Sequence, residues 1–208
     1  NGKNMISVVI ILKNDLGIVD TIRSLNKQTI LSKFEIIVID RSTITYPKIS
    51  SKIPLRWVKY RSENKKYTIP EQRNIGISMA RGSIVVFFDA NCVAEPDWLK
   101  MITNPILRGK EDIVSGLTLS KGGFTLNDHL YTIRAHQKYL QDAATIALAI
   151  RKTVFDIVGM FDTNFEYSSD TDFSWRAIDR GYKIYFEPAA IAYHDWGSAK
   201  REVRRMIL

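Results

Sequence analysis

Residues 70–99 decide the fold class, and they read PEQRNIGISMARGSIVVFFDANCVAEPDWL. Within them, residues 83–88 form a short run of β-branched and aromatic side chains, which is typical of an interior parallel strand. The run leads directly into Asp89 and Asn91. Ligands of open α/β sheets bind beyond the carboxyl ends of the strands. We therefore expect Asp89 and Asn91 to face a ligand.

The two side chains after this strand carry hard oxygen donors. Asp89 offers a carboxylate and Asn91 an amide oxygen. Donors of this kind suit Mg²⁺ or Mn²⁺ and the phosphates that these ions carry. An alternative is that residues 89–92 form an Asx-type turn that ends the strand and binds no ligand.

The residues before this stretch alternate between strand and helix patterns. Buried strands are predicted at 6–12 and 34–39, with a helix at 17–28 between them; a third strand follows at 55–60 and a helix at 70–80. The first two strands form a βαβ unit, so they should be parallel. Asp40 and Asp89 then lie at the same edge of one sheet.

The pattern is less regular after Asn91. Strands are predicted at 113–119, 182–186 and 190–193, and helices at 96–107, 126–141, 152–158, 170–180 and from 198 onward. The run at 143–150 has the size of a strand or a core helix. No repeat or linker divides the chain, so one domain over 1–208 is expected.

Composition narrows the function classes. The 208 residues are 45% apolar and 25% charged, which is ordinary for a globular domain. The net charge of +8 is dispersed and fits no nucleic-acid-binding motif, so we expect no nucleic-acid partner. No apolar stretch reaches the roughly 20 residues of a membrane helix. The single cysteine, Cys92, and the lack of a signal-peptide pattern favour a cytoplasmic location.

Five segments together resemble the inverting family 2 glycosyltransferases, which have the GT-A fold. They are ISVVIILKND (6–15), EIIVIDRST (35–43), EQRNIGISMARGSIVVFFDAN (71–91), AIRKTVFDIVGMFDTNF (149–165) and SSDTDFSWRAIDRGYKIYFEPAAIAYH (168–194). The resemblance implies an α/β fold with a mostly parallel central sheet and helices on both faces, divided into a nucleotide-binding half at 1–92 and an acceptor-side half at 93–208. It implies transfer of a sugar from a nucleotide-diphosphate donor to a saccharide, lipid-linked or protein acceptor.

The resemblance also assigns roles on the donor side. Asp40 would read the nucleotide base, although a turn aspartate bonded to its own backbone is the alternative, and Arg73 would lie near the nucleotide. Asp89 would hold the ribose and the metal-bound diphosphate. Asn91 and His194 would complete the ligands of Mn²⁺ or Mg²⁺. Arg41 stands where the family often has a second acid, which leaves the base open.

On the acceptor side, the resemblance makes Asp170 the general base that takes a proton from the acceptor hydroxyl. Asp172 is the alternative base, and a helix N-cap is the alternative role for Asp170. Ser169 stands where the family often has glutamate. With Asn91, it leaves open a weakly active or inactive nucleotide-sugar-binding relative.

The basic end of the chain is the last candidate feature. Lys200, Arg201, Arg204 and Arg205 would contact the diphosphate or the solvent. A basic segment of this kind also suits a cytoplasmic membrane face. Since many members of the family continue into membrane-associated helices, we expect a further C-terminal region in the complete protein.

Overall fold

The computed structural model describes residues 5–61, 69–122, 128, 136–165 and 167–196. Its strands are β1 (Ile6–Leu12), β2 (Phe34–Asp40), β3 (Leu55–Lys59), β4 (Ile84–Phe88), β5 (Cys92–Ala94), β6 (Ile113–Ser120), β7 (Tyr139–Leu140), β8 (Ala147–Arg151) and β9 (Ile184–His194). Its helices are α1 (Ile18–Leu25), α2 (Ile69–Met79), α3 (Trp98–Leu107), α4 (Val154–Val158) and α5 (Ser169–Asp179).

The strands form one mixed sheet in the order β3-β2-β1-β4-β8-β6-β9-β5, and β7 also pairs with β9. The first four of these strands are parallel neighbours. Strand β8 is antiparallel to both β4 and β6, and β9 is parallel to β6. Six strands therefore point the same way, while β5, β7 and β8 point the opposite way. The predicted mostly parallel α/β sheet is confirmed.

Helices cover both faces of the sheet because its strands are apolar on both sides. Helices α1 and α3 pack on one face, where Trp98 is fully buried against Phe88. Helices α2, α4 and α5 pack on the other, around Phe87, Phe155 and Phe173. Burying a side chain of this size contributes about 1.5–3 kcal/mol. We call these the α1 face and the α2 face.

Helix α2 lies unusually close to the sheet. A Cβ atom on Gly76 would lie 2.2 Å from Cγ1 of Val9 on β1, so only glycine fits at this position. The Gln72 amide donates to the carbonyl of Ile39 at 2.8 Å, which ties the first turns of α2 to β2. This packing holds Arg73, the next residue, over the carboxyl edge of the parallel strands.

Several sequence-based boundaries need correction in the second half. The two strands predicted at 182–186 and 190–193 are one strand, β9, whose register against β6 shifts between Gly116 and Leu117. The interval between the two predicted strands therefore lies within β9, where the residues between Glu187 and Ile191 form a bulge. A helix was predicted at 126–141, but Tyr139–Leu140 form strand β7, so the prediction is wrong there. Residues 126–127 and 129–135 lie outside the described ranges.

Three short strands complete the differences. The run at 143–150 contributes strand β8, and neither β5 nor β7 was expected from the sequence. Strands of two or three residues carry too little periodicity to be recognised locally, because their partners are distant in the sequence. No helix of the described residues is long and apolar enough to cross a membrane.

Candidate functional site

The candidate residues gather at the carboxyl edge of the parallel strands. Asp40 ends β2 and Asp89 follows β4, and both strands neighbour β1 in the sheet. The predicted position of these two aspartates at one edge is thus confirmed. Asp170 begins α5, and His194 ends β9. Their roles remain predictions, which the following contacts support to different degrees.

Asp40 is the most enclosed of these carboxylates, with a side chain that is 0% exposed. Its Oδ1 accepts from the backbone N–H of Ser42 at 2.7 Å. Its Oδ2 accepts from Nε1 of Trp57 at 2.8 Å and pairs with Nζ of Lys59 at 2.7 Å. Burial raises the pKa of Asp40, but these hydrogen bonds outweigh it and hold the pKa below its usual value. Asp40 therefore has the bonding of the turn aspartate, the alternative that the sequence left open.

Asp89 is more open, with 31% of its side chain exposed. Its Oδ2 lies 3.7 Å from Nε2 of His194, so the two side chains face one space. Nδ1 of His194 is buried with no hydrogen-bond partner among the described residues, and the ring packs on Trp196. The amide of Asn91 donates to the carbonyl of Asp195 at 3.0 Å, which draws the ends of β4 and β9 together.

Helix α1 and Gly17, the residue before it, pack against the segment that carries Asn91. The hydroxyl of Thr21 lies 2.8 Å from the carbonyl of Ala90 and 2.7 Å from that of Cys92. Gly17 approaches so closely that a Cβ there would lie 3.0 Å from Cα of Asn91. The sequence did not indicate that Thr21 and Gly17 contact this segment, because no local pattern relates positions about 70 residues apart.

The donors near Asp89 only partly fit a divalent metal. In the ranges that the structure describes, no three His, Cys, Asp or Glu side chains converge as a metal site. Asp89 and His194 do converge, and the amide oxygen of Asn91, two residues after Asp89, would be a third, neutral donor. A carboxylate, an imidazole and an amide oxygen suit Mn²⁺ better than Mg²⁺, which prefers oxygen alone.

Arg73 joins the donor side to the acceptor side. Its Nη1 donates to the hydroxyl of Ser169 at 3.0 Å, and its guanidinium lies 5.4 Å from the centre of the Phe161 ring. Burial lowers the pKa of Arg73, while the nearby charges of Asp170 and Asp89 raise it in part. One guanidinium therefore lies in the field of both carboxylates. The sequence marked Arg73 as a nucleotide contact and Ser169 as a departure, but not that they touch.

The two candidate bases on α5 have different surroundings. Asp172 pairs through Oδ2 with Arg176 at 2.8 Å, and Arg176 also donates to the carbonyls of Val158 and Met160. Asp172 is therefore part of a link between α5 and the residues after α4. Among the described residues, the carboxylate of Asp170 accepts from two backbone N–H groups, that of Thr171 at 3.1 Å and that of Thr145 at 3.4 Å.

The predicted diphosphate contacts Lys200, Arg201, Arg204 and Arg205 lie outside the described residues.

The model of the Glycosyl transferase family 2 matches residues 7–179, which contain Asp40, Arg73, Asp89, Asn91 and Asp170. The chain belongs to glycosyl transferase family 2.

Two named glycosyltransferases share sequence with this chain. Glycosyltransferase AglE of Haloferax volcanii is 25% identical over 205 residues, which covers 91% of this chain and 66% of AglE. Pre-mycofactocin glycosyltransferase of Mycobacterium tuberculosis is 24% identical over 152 residues, 62% of this chain and 30% of that protein. The chain thus spans between about a third and two thirds of the relatives' length.

Solved structures confirm the GT-A fold. The mannosyltransferase PcManGT from Pyrobaculum calidifontis, in complex with GDP-Man and Mn²⁺, has a TM-score of 0.74 at 15% identity, over 97% of this chain and 59% of that one. GalNAc-T7 with UDP, GalNAc and Mn²⁺ has a TM-score of 0.70 at 19% identity, and the match covers 96% of this chain and 47% of that one. S. aureus TarS has a TM-score of 0.64 at 17% identity, and the match covers 97% of this chain and 38% of that one.

Proposed function

We propose that this family 2 domain is an inverting, metal-dependent glycosyltransferase that transfers a sugar from a nucleotide-diphosphate donor to an acceptor hydroxyl. The observation that carries the proposal is the 3.0 Å hydrogen bond from Nη1 of Arg73 to the hydroxyl of Ser169, the neighbour of Asp170, and the charges of both Asp170 and Asp89 act on the same guanidinium. This arrangement makes the donor-side and acceptor-side carboxylates parts of one crevice. Transfer between two substrates requires such a shared space.

Each side of the crevice has a distinct task. Asp89, Asn91 and His194 would hold the divalent metal, and the metal would neutralise the diphosphate as it leaves. The solved complexes of PcManGT and GalNAc-T7 contain Mn²⁺, which supports this cofactor. Arg73 adds a fixed positive charge beside Asp89 that does not need to reorganise during the reaction.

Asp170 would act as the general base. Its carboxylate lies in the first turn of α5, where the helix dipole favours a negative charge, and it accepts from the backbone N–H groups of Thr171 in that turn and of Thr145 before β8. It takes the proton from the acceptor hydroxyl as that oxygen bonds to the anomeric carbon and the bond to the diphosphate breaks. A single displacement of this kind inverts the anomeric centre and needs no covalent intermediate.

The acceptor and the cellular setting belong to the same proposal. A saccharide, lipid-linked or protein hydroxyl is the expected acceptor. Contact with the cytoplasmic membrane face rests on the basic sequence at 200–205. A non-catalytic nucleotide-sugar binder is the rival, because Ser169 and Asn91 carry no charge where the family often has acids.

Calorimetric titration with UDP, GDP, CDP and ADP in the presence of Mn²⁺ tests the donor site. We expect at least one nucleotide to bind the unmodified protein, and Asp89→Ala to abolish that binding while the melting temperature stays high. Asp20→Ala is the matched control, since Asp20 is an exposed aspartate of α1 paired with Arg23. Unchanged binding by Asp89→Ala would refute the donor site, and binding without hydrolysis of any nucleotide sugar would favour the binder.

A further inference from the structure

Strand alternation separates two neighbouring side chains at the end of β2. Ile36 and Val38 face the α1 face, and Ile37 and Ile39 face the α2 face. Successive residues of a strand point to opposite faces. Asp40 therefore points to the α1 face, where Trp57 and Lys59 enclose it, and Arg41 points to the α2 face.

The strand geometry extends far enough for this alternation to hold at Arg41. The backbone N–H of Arg41 donates to the carbonyl of Leu12 at 2.8 Å, which continues the parallel ladder between β2 and β1. On the other side, the N–H of Tyr60 donates to the carbonyl of Asp40 at 2.8 Å. Arg41 thus stands between its two neighbouring strands as one further step of the sheet.

Two residues of the candidate site, Asp89 and Arg73, lie on the α2 face. Asp89 continues the alternation of Val85 and Phe87, which lie on that face, and it lies in the field of Arg73 on α2. The start of α2 covers the ends of β2 and β3, because Gln72 bonds the carbonyl of Ile39 and Tyr60 bonds Glu71. Arg41 is the side chain that β2 contributes to this crevice.

We propose that Arg41, and not Asp40, reads the base of the donor nucleotide, and that it selects a base edge with two adjacent hydrogen-bond acceptors. This inference rests on the proposed function, because it assumes that the crevice binds a nucleotide diphosphate. Arg41 contributes only donors in a planar fork, whereas a carboxylate contributes only acceptors. A base that offers an N–H to a carboxylate therefore opposes the arginine.

The chemistry of the fork names the bases. Guanine presents O6 and N7 side by side, and cytosine presents O2 and N3, so either can receive both N–H groups of the guanidinium. Uracil places N3–H between its carbonyl groups, and adenine places an amino group beside N7. In each case a hydrogen-bond donor of the base would face an N–H donor of the guanidinium. A good two-bond contact of this kind discriminates by about 5- to 150-fold.

Calorimetry with GDP, CDP, UDP and ADP in Mn²⁺ tests the inference on three proteins. We expect the unmodified protein to bind GDP or CDP at least about fivefold more tightly than UDP and ADP. The stronger of the two ligands tells a purine site from a pyrimidine site. Arg41→Met should remove the preference, and Arg41→Lys should restore overall affinity but not the preference, because an ammonium is not a fork.

Lys59→Met is the matched control. Lys59 ends β3 at the same level of the sheet, but it points to the α1 face and pairs with Asp40. Its removal should leave the base preference unchanged, and a melting curve of each variant checks the fold.

The outcomes separate the inference from the function beneath it. Equal weakening of all four nucleotides by Arg41→Met would make Arg41 a phosphate contact and overturn the inference, as would a preference of the unmodified protein for UDP or ADP. In both cases the proposed function would survive. Absence of binding by any of the four nucleotides would overturn the donor site itself, and the role of Arg41 with it.

Discussion

The end of β2 and the crevice between β4 and α5 each present carboxylates, but the two regions use them differently. At the end of β2, Asp40 is completely buried and bonds to Ser42, Trp57 and Lys59. In the crevice, 31% of the Asp89 side chain is exposed, and its Oδ2 lies 3.7 Å from Nε2 of His194. A carboxylate whose oxygens are already satisfied stabilises the fold, whereas one with spare acceptor capacity is available to a ligand.

The sharpest way to break this comparison is to neutralise the crevice base. Asp170→Asn is nearly isosteric, so it should keep donor binding and lower turnover by about 10²–10⁴, the contribution of a positioned proton acceptor. Initial rates with a competent donor, or donor hydrolysis by water with its smaller signal, measure the change. Full activity in Asp170→Asn would mean that the crevice carboxylate is not the base.

Asp40→Asn tests the other side of the comparison. We expect a loss of about 2–3 kcal/mol in the free energy of unfolding, because hydrogen bonds to a charged group contribute about 1.5–3 kcal/mol and the exposed Lys59 pair adds little. Chemical denaturation measures this loss. Nucleotide binding should persist in the folded variant, and its selective disappearance would restore Asp40 as the reader of the base.

The pH dependence of stability gives an independent check on Asp40. Because the pKa of Asp40 is lowered on folding, its charge stabilises the native state above the ordinary value of 3.8. That stabilisation is lost as the pH falls through the lowered pKa. Denaturation of the unmodified protein and Asp40→Asn between pH 7 and pH 3 should therefore show curves that converge in acid. Parallel curves would show that the charge of Asp40 does not stabilise the fold.

Asn91→Asp sharpens the comparison by adding a charge to the crevice. With Mn²⁺ present, nucleotide diphosphate should bind about tenfold more tightly, because ligand charge tunes metal affinity. Without metal, the variant should be less stable by about 1 kcal/mol, since the bond from Asn91 to the carbonyl of Asp195 is lost. Calorimetry with and without Mn²⁺ separates the two effects. Weaker binding in Mn²⁺ would remove Asn91 from the metal site.

The smallest expected effect belongs to Asp172→Asn. Its pair with Arg176 is partly exposed, so we expect a loss of about 1 kcal/mol in stability and near-normal turnover. This variant is the matched control for Asp170→Asn, because both change an aspartate in the first turn of α5. If Asp172→Asn silences the reaction and Asp170→Asn does not, the resemblance is misaligned by two residues.

The first half of the chain followed the sequence closely. Strands β1, β2 and β4 are buried on both faces, so they appear as continuous apolar runs, and helix α1 between β1 and β2 shows a helical repeat. Such signals are local. The same locality explains why Asp40 and Asp89 were correctly expected at one edge of the sheet.

The second half depended on contacts that no local window contains. Strand β8 enters the sheet between β4 and β6, and β9 continues through a bulge opposite Gly116 and Leu117. Strands β5 and β7, of three and two residues, are stabilised by partners far along the chain, so their own residues carry little signal.

The sequence by itself determined the family, the fold class and the residue types of the crevice, because motifs and periodicity are local properties. Only the tertiary structure decided which acids are satisfied and which are available. Trp57 and Lys59 enclose Asp40, Arg176 pairs with Asp172, and Arg73 bonds the neighbour of Asp170 while the charges of Asp170 and Asp89 both act on it. The chemistry of a carboxylate is set by the donors around it, and folding brings those donors from distant parts of the chain.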